Sequence, residues 1–214
     1  VKGLRCAVIA VLAMLIAGCG TEAPDYQSVW TTSQRSTTTT TTARPVPLSQ
    51  YLESIGVAGE QVAPDTLTDL NVSIPAPPGW ERVQKPDIAP ATELIAKDGK
   101  YPTAMLMVFR LRGEFDAADV VKHGNVDAQL SKNFKRLDES TANFNGFPSS
   151  MIQGSYELGG KRLHGFNRIV IPTGSPPANQ RYLVQLSVTS LAEQAVADSD
   201  DIEAIIGGFT VAAK

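Results

Sequence analysis

Read as a β-strand, Thr103 to Leu111 is apolar on both of its alternations: Met105, Met107, Phe109 and Leu111 point one way, and Ala104, Leu106 and Val108 the other. Successive side chains of a strand face opposite sides of a sheet, so this strand must lie centrally with both faces covered. A sheet with one wet face is excluded there. Thr92 to Ala96 precedes it as a partner strand across Asp98-Gly99, a pair with hairpin-turn chemistry, although Lys100 to Pro102 lengthen the loop.

The remaining elements follow from periodicity and punctuation. Leu48, Tyr51, Leu52 and Ile55 repeat at helical spacing ahead of Gly56, and Leu70 to Ile74 reads as a strand that the run Pro75-Ala76-Pro77-Pro78-Gly79-Trp80 turns away. Asp116 and Asp119, with Phe115 and Val120 as a hydrophobic staple, start a helix near Ala117 that is expected to run to about Phe134. Ser149 to Leu158 and Lys161 to Ile171 form a hairpin about Gly159-Gly160. In Arg181 to Thr189, Tyr182, Val184, Leu186 and Val188 alternate with mostly polar residues, which predicts a half-buried strand. Ser190 and Glu193 make a capping box for a last helical region that Asp198 restarts, with Ile202, Ile205 and Ile206 on its buried face. The sum is an α+β fold: an antiparallel meander of five or six strands, sandwiched by helices.

Ahead of this region lie two segments of different composition. Lys2 and Arg5 precede an apolar run of 11 residues, Cys6 to Ile16, too short for the roughly 20 residues of a transmembrane helix. Ile16-Ala17-Gly18-Cys19 follows as a lipobox, so residues 1–18 are expected to be a signal peptide cut between Gly18 and Cys19, with Cys19 acylated. Two or three acyl chains, at about 0.8 kcal/mol per buried methylene, would anchor the protein to the outer side of the cell membrane. Residues 19–47 then form the lipidated terminus and a Thr/Pro-rich linker with the run Thr37 to Thr42; this composition predicts disorder and a reach on the order of 85 Å. Residues 48–214 are expected to be one globular domain.

Charge and residue inventory narrow the chemistry. Removing residues 1–18 takes the formal charge from −3 to −5, which argues against nucleic acid as a partner. Cys6 and Cys19 are the only cysteines, so the domain is held by packing without a disulfide. The two histidines, His123 and His164, are far apart, and neither a G-x-S-x-G elbow nor an H-E-x-x-H motif is present. No catalytic residue, metal or cofactor is therefore assigned. His123 falls on the helical stripe Val120, His123, Val126, Leu130 and Phe134, with its ring expected at the edge of the packed face, and His164 is expected half-exposed on a strand. Asp198, Asp200, Asp201 and Glu203 lack the fixed spacing of a calcium loop and complement a helix N-terminus. Lys161, Arg162 and Arg168 place positive charge on one hairpin.

By Tyr51-Leu52, Gly56-Val57, Pro64 and the strand leading into Pro75-Ala76-Pro77-Pro78-Gly79-Trp80, in the context of the lipobox and the Thr-rich spacer, the chain resembles the mycobacterial LpqN/LpqT lipoproteins. The resemblance implies a PsbP-like sheet sandwiched by helices, a cell-envelope location, no established catalytic residues, and roles in envelope lipid biology or protein contacts. Trp80 carries over only as a fold landmark, an aromatic plug over the sheet edge. The reading that follows is a non-enzymatic binding or adaptor module, tethered to the membrane and meeting envelope proteins or lipids. Its acylated terminus would be visible to host innate receptors. The alternative is a lipid or glycolipid carrier of the mycolate type, its cleft supplied by Met105, Met107, Phe109, Phe115 and Phe134. The candidate ligand cleft is assigned to Trp80, His123 and Phe109.

Overall fold

The doubly apolar strand lies inside a sheet with both faces covered in the computed structural model of the protein, which describes residues 45–214. The segment read as a signal peptide, Cys19 and all but the last three residues of the expected linker lie outside the described residues. After α1 (Leu48–Ser54) come β1 (Ala58–Val62), a 3-10 turn (Pro64–Thr66), β2 (Leu70–Ser73) and β3 (Trp80–Arg82). β4 (Glu93–Lys97) and β5 (Thr103–Arg112) form the first hairpin, and α2 (Ala117–Val121) and α3 (Val126–Gln129) lead to β6 (Lys135–Ser140). β7 (Ser149–Leu158), β8 (Lys161–Val170) and β9 (Tyr182–Leu191) follow, then α4 (Ser199–Gly208) and β10 (Thr210–Ala213).

The main sheet has eight strands, all paired antiparallel, in the order β3-β4-β5-β9-β8-β7-β6, with β1 sharing the β4 edge of β5. β2 and β10 form a separate two-stranded sheet. On one face, Leu106, Val108, Val184 and Leu186 pack with Leu70 and Val72 of β2, Val211 of β10, and Ile202 and Ile205 of α4. On the other, Met105, Met107, Phe109, Ile169 and Leu183 pack with Leu48 and Leu52 of α1 and Val120 and Val121 of α2. Hydrophobic burial on both sides of β5 and β9 makes these strands the spine of the molecule.

The α+β class and the helix-covered antiparallel sheet agree with the sequence reading, and five details differ. Strands are more numerous than five or six: β1, β3, β6 and β10 are short or polar and carry little alternating signal. The order is not one meander, because β9 inserts between β5 and β8. The helix expected from Ala117 to Phe134 is two short helices followed by a strand. Asp116 does cap its start, accepting from Ala118 N–H at 2.7 Å, but Gly124 sits against Ser150 so closely that a Cβ would lie 2.1 Å from its hydroxyl. Helical continuity yields there to the approach of the chain to the sheet. Ser190 caps no helix: it is buried in the extension of β9, and α4 begins after Asp198. Finally, β9 is covered on both faces over its first half, with Gln185 only 2% exposed, and is half-buried as expected from Leu186 onward, where Ser187 and Thr189 stay partly exposed.

Candidate functional site

The chain must travel from β5, in the middle of the sheet, to β6 at its edge. Four strand spacings of about 4.8 Å, roughly 19 Å in all, separate the two. The crossover through α2 and α3 makes this journey over one face of the sheet, above β9, β8 and β7. Where α1 and α2 press on the sheet the space is filled by core. Beyond them, Ala128, Ser131 and Phe134 stand over the sheet and leave a slot.

Cross-strand register gives the slot floor row by row. Thr103, Thr189, Gly165 and Gly154 face one another across β5, β9, β8 and β7, and the next row is Met105, Ser187, Asn167 and Ile152. The paired glycines build the wall. A Cβ on Gly154 would lie 2.5 Å from the ring of Phe134 and 2.7 Å from the Lys135 carbonyl, and one on Gly165 would lie 3.0 Å from the ring of Tyr156. Two aromatic rings thus settle onto bare backbone where any side chain would lift them away.

Counted to its open mouth the slot encloses about 480 Å³. It is narrow. The walls are apolar (Met105, Phe134, Ile152, Tyr156), the floor carries Thr103, Asn167, Ser187 and Thr189, and no charged side chain lines it. The polar groups are organised: Asn167 Oδ1 accepts from Gln185 Nε2 at 2.8 Å and from Ser187 Oγ at 2.9 Å.

The three residues assigned to a cleft are not brought together. Phe109 is 2% exposed within the α1/α2 core. Trp80 is 6% exposed in the core on the opposite face, where its indole N–H donates to Asp201 Oδ2 at 3.1 Å, an oxygen that also accepts from Lys97 Nζ at 2.8 Å. It is the aromatic plug of an edge strand. His123 stacks on Tyr51 with ring centroids 3.9 Å apart, and its Nδ1 is 3.0 Å from the Val46 carbonyl, which fixes the entry of the chain into the domain. A cleft beside Trp80 and His123 cannot form, because the sheet separates Trp80 from the face on which His123 lies. Of the apolar residues expected to line a cleft, Met105 and Phe134 do; Met107 and Phe109 are core, and Phe115 packs against it.

His164 lies on the α4 face, its Nε2 3.1 Å from Gln153 Nε2, and burial lowers its pKa. Among the described residues neither imidazole bonds a hydroxyl, so no nucleophile is paired with a base. Arg162 is spent on Asn133 O and Ser155, and Arg168 lies 4.8 Å from the Phe144 ring centroid, its pKa lowered by burial. Among the described residues no three His, Cys, Asp or Glu converge as a metal site. The sequence reading missed Asn167, Ser187 and Thr189. Their signal was present in β9, whose polar side holds Gln185, Ser187 and Thr189 and not one charge.

The site is thus an uncharged slot between a two-faced antiparallel sheet and the crossover that passes over it. The chain belongs to the family described as "Probable lipoprotein LpqN", whose model matches residues 44–212. It is 62% identical to "Putative lipoprotein LpqT" of Mycobacterium tuberculosis, over 100% of this chain and 96% of that protein. The "Proline-rich 28 kDa antigen" of the same organism is 38% identical, over 78% of this chain and 54% of the antigen. Among solved structures, LpqN of M. tuberculosis, described as involved in cell envelope biogenesis, aligns with a TM-score of 0.66 at 19% identity, over 78% of this chain and 97% of that one. Cyanobacterial PsbP aligns with a TM-score of 0.43, too low to carry an argument.

Proposed function

We propose that this protein is a non-enzymatic binding module of the cell envelope, held at the outer face of the cytoplasmic membrane by an acylated Cys19, and that its slot takes the apolar chain of an envelope lipid. One observation carries this reading: a narrow, uncharged space, apolar along its walls and open to solvent, is held between the crossover and a pair of glycines that serve to seat aromatic rings. Family membership supports the lipoprotein part, and the described role of LpqN supports the envelope part.

The test uses the processed chain, Cys19 to Lys214, carrying Cys19→Ala so that it needs no detergent. Native mass spectrometry should show the protein taking up a fluorescent alkyl probe and envelope lipid extract. Thr189→Phe, which fills the slot from its floor, and Ser131→Trp, which fills it from the lid, should each abolish uptake with secondary structure unchanged by circular dichroism. An unliganded wild-type protein that takes up neither probe nor extract overturns the reading, as does equal uptake by both filled variants. Capture of a protein partner by these same filled variants would move the binding function to the outer surface.

A further inference from the structure

Resting on the slot as a chain-binding site, we propose that it selects its ligand by an uncharged hydrogen-bond acceptor inserted first, the hydroxyl or carbonyl end of an alkyl chain, and rejects free fatty acids and alkylamines. The floor is the reason. Asn167 is only 9% exposed, and its carbonyl oxygen is taken by two donors, Gln185 Nε2 and Ser187 Oγ. With the Gln185 amide nitrogen turned toward it, the Asn167 oxygen faces both donors and its nitrogen faces away from them. The amide nitrogen, with two N–H donors, has no partner among the described residues and lines the slot.

That amide nitrogen faces the open slot, where a ligand that displaces water from its N–H donors must supply an acceptor in return. Thr103 and Thr189, opposite one another on the adjoining row, add hydroxyls to the same floor. An alkyl chain with a nonpolar end would leave these groups dry. A carboxylate offers acceptors, yet no lysine or arginine lines the slot to meet its charge, and an alkylammonium brings both a charge and no acceptor. What satisfies the floor at no charge penalty is a neutral oxygen. Cross-strand pairing holds Asn167 between Ser187 and Ile152, so the site is built on strands and is rigid before a ligand arrives.

The experiment compares 1-octanol, octanoate and octylammonium on the processed Cys19→Ala chain by displacement of the alkyl probe. At pH 7 1-octanol should bind about tenfold or more tighter than either ion, a difference of about 1.4 kcal/mol. Lowering the pH to 4 protonates octanoate and should bring it close to 1-octanol, while octylammonium stays weak. Asn167→Leu, similar in volume, should erase the preference for 1-octanol while the probe still binds; Ser187→Ala, which frees the amide to rotate, should weaken it if the leucine variant does not fold. Equal binding of all three ligands, or an unchanged preference in Asn167→Leu or Ser187→Ala, overturns the head-first selection and leaves the slot reading standing. Failure of the probe itself to bind defeats the slot reading, and this proposal with it.

Discussion

Asp127 shows how one side chain is used against its own preference. It lies in α3, half-buried, and its carboxylate accepts the Leu48 N–H at 3.3 Å, tying the start of α1 to the crossover. Burial raises its pKa above the ordinary carboxylate value, and the bond from Leu48 opposes this only in part. The folded protein therefore holds the proton more tightly than the unfolded chain, so stability falls as pH rises from about 4 through the raised pKa. Asp127→Asn keeps an acceptor for Leu48 without the charge. It should raise the melting temperature at pH 7 and have no such effect at pH 3.5, in thermal scans followed by circular dichroism; a lower melting temperature at pH 7 would show that the charge is needed. Of such residues the sequence revealed some: Asp116 as a cap and Gly159-Gly160 as a turn act within a few positions of themselves, and both glycines adopt positive φ. Asn167 could not be read that way, since its partners stand 18 and 20 positions away.

At the scale of elements, the crossover and β6 are where expectation and structure part. An apolar stripe from Val120 to Phe134 reads as one helix, yet its last member is the ring that rests on Gly154 in β7. β6 carries Lys135, Arg136, Asp138 and Glu139 around an exposed Leu137, with a bulge between Arg136 and Asp138. Charges and a bulge are what an edge strand needs to avoid pairing with other chains, and they also erase the alternation by which strands are recognised. Gly154→Ala should cost about 1–3 kcal/mol by overpacking against Phe134 and the Lys135 backbone. Phe134→Ala in the same chain should recover part of that loss, as a double-mutant cycle in urea would measure. Strict additivity would mean that the ring does not rest on Gly154.

For the whole molecule, the two cores share β5 and β9 but are separated by the thickness of the sheet. Leu186→Ala on the α4 face and Leu183→Ala on the α1/α2 face, both fully buried, should each cost about 2–5 kcal/mol. Because the two side chains belong to separate cores on opposite faces of the sheet, the losses should add within about 0.5 kcal/mol, and unfolding in urea should stay a single transition. Two transitions would show that one face unfolds without the other. Periodicity and turn chemistry are properties of neighbouring residues, so the sequence alone sufficed to make Thr103 to Leu111 central, the flanking hairpins antiparallel and the sheet helix-covered; the family was legible separately, by resemblance at Tyr51-Leu52, Gly56-Val57, Pro64 and Pro75 to Trp80. The tertiary structure alone places β9 beside β5, sends the crossover over β8 and β7, and so sets Asn167, Ser187 and Thr189 on the floor of a slot. A polar alternation looks the same whether solvent or another segment covers it, and what covers it depends on the path of a distant part of the chain.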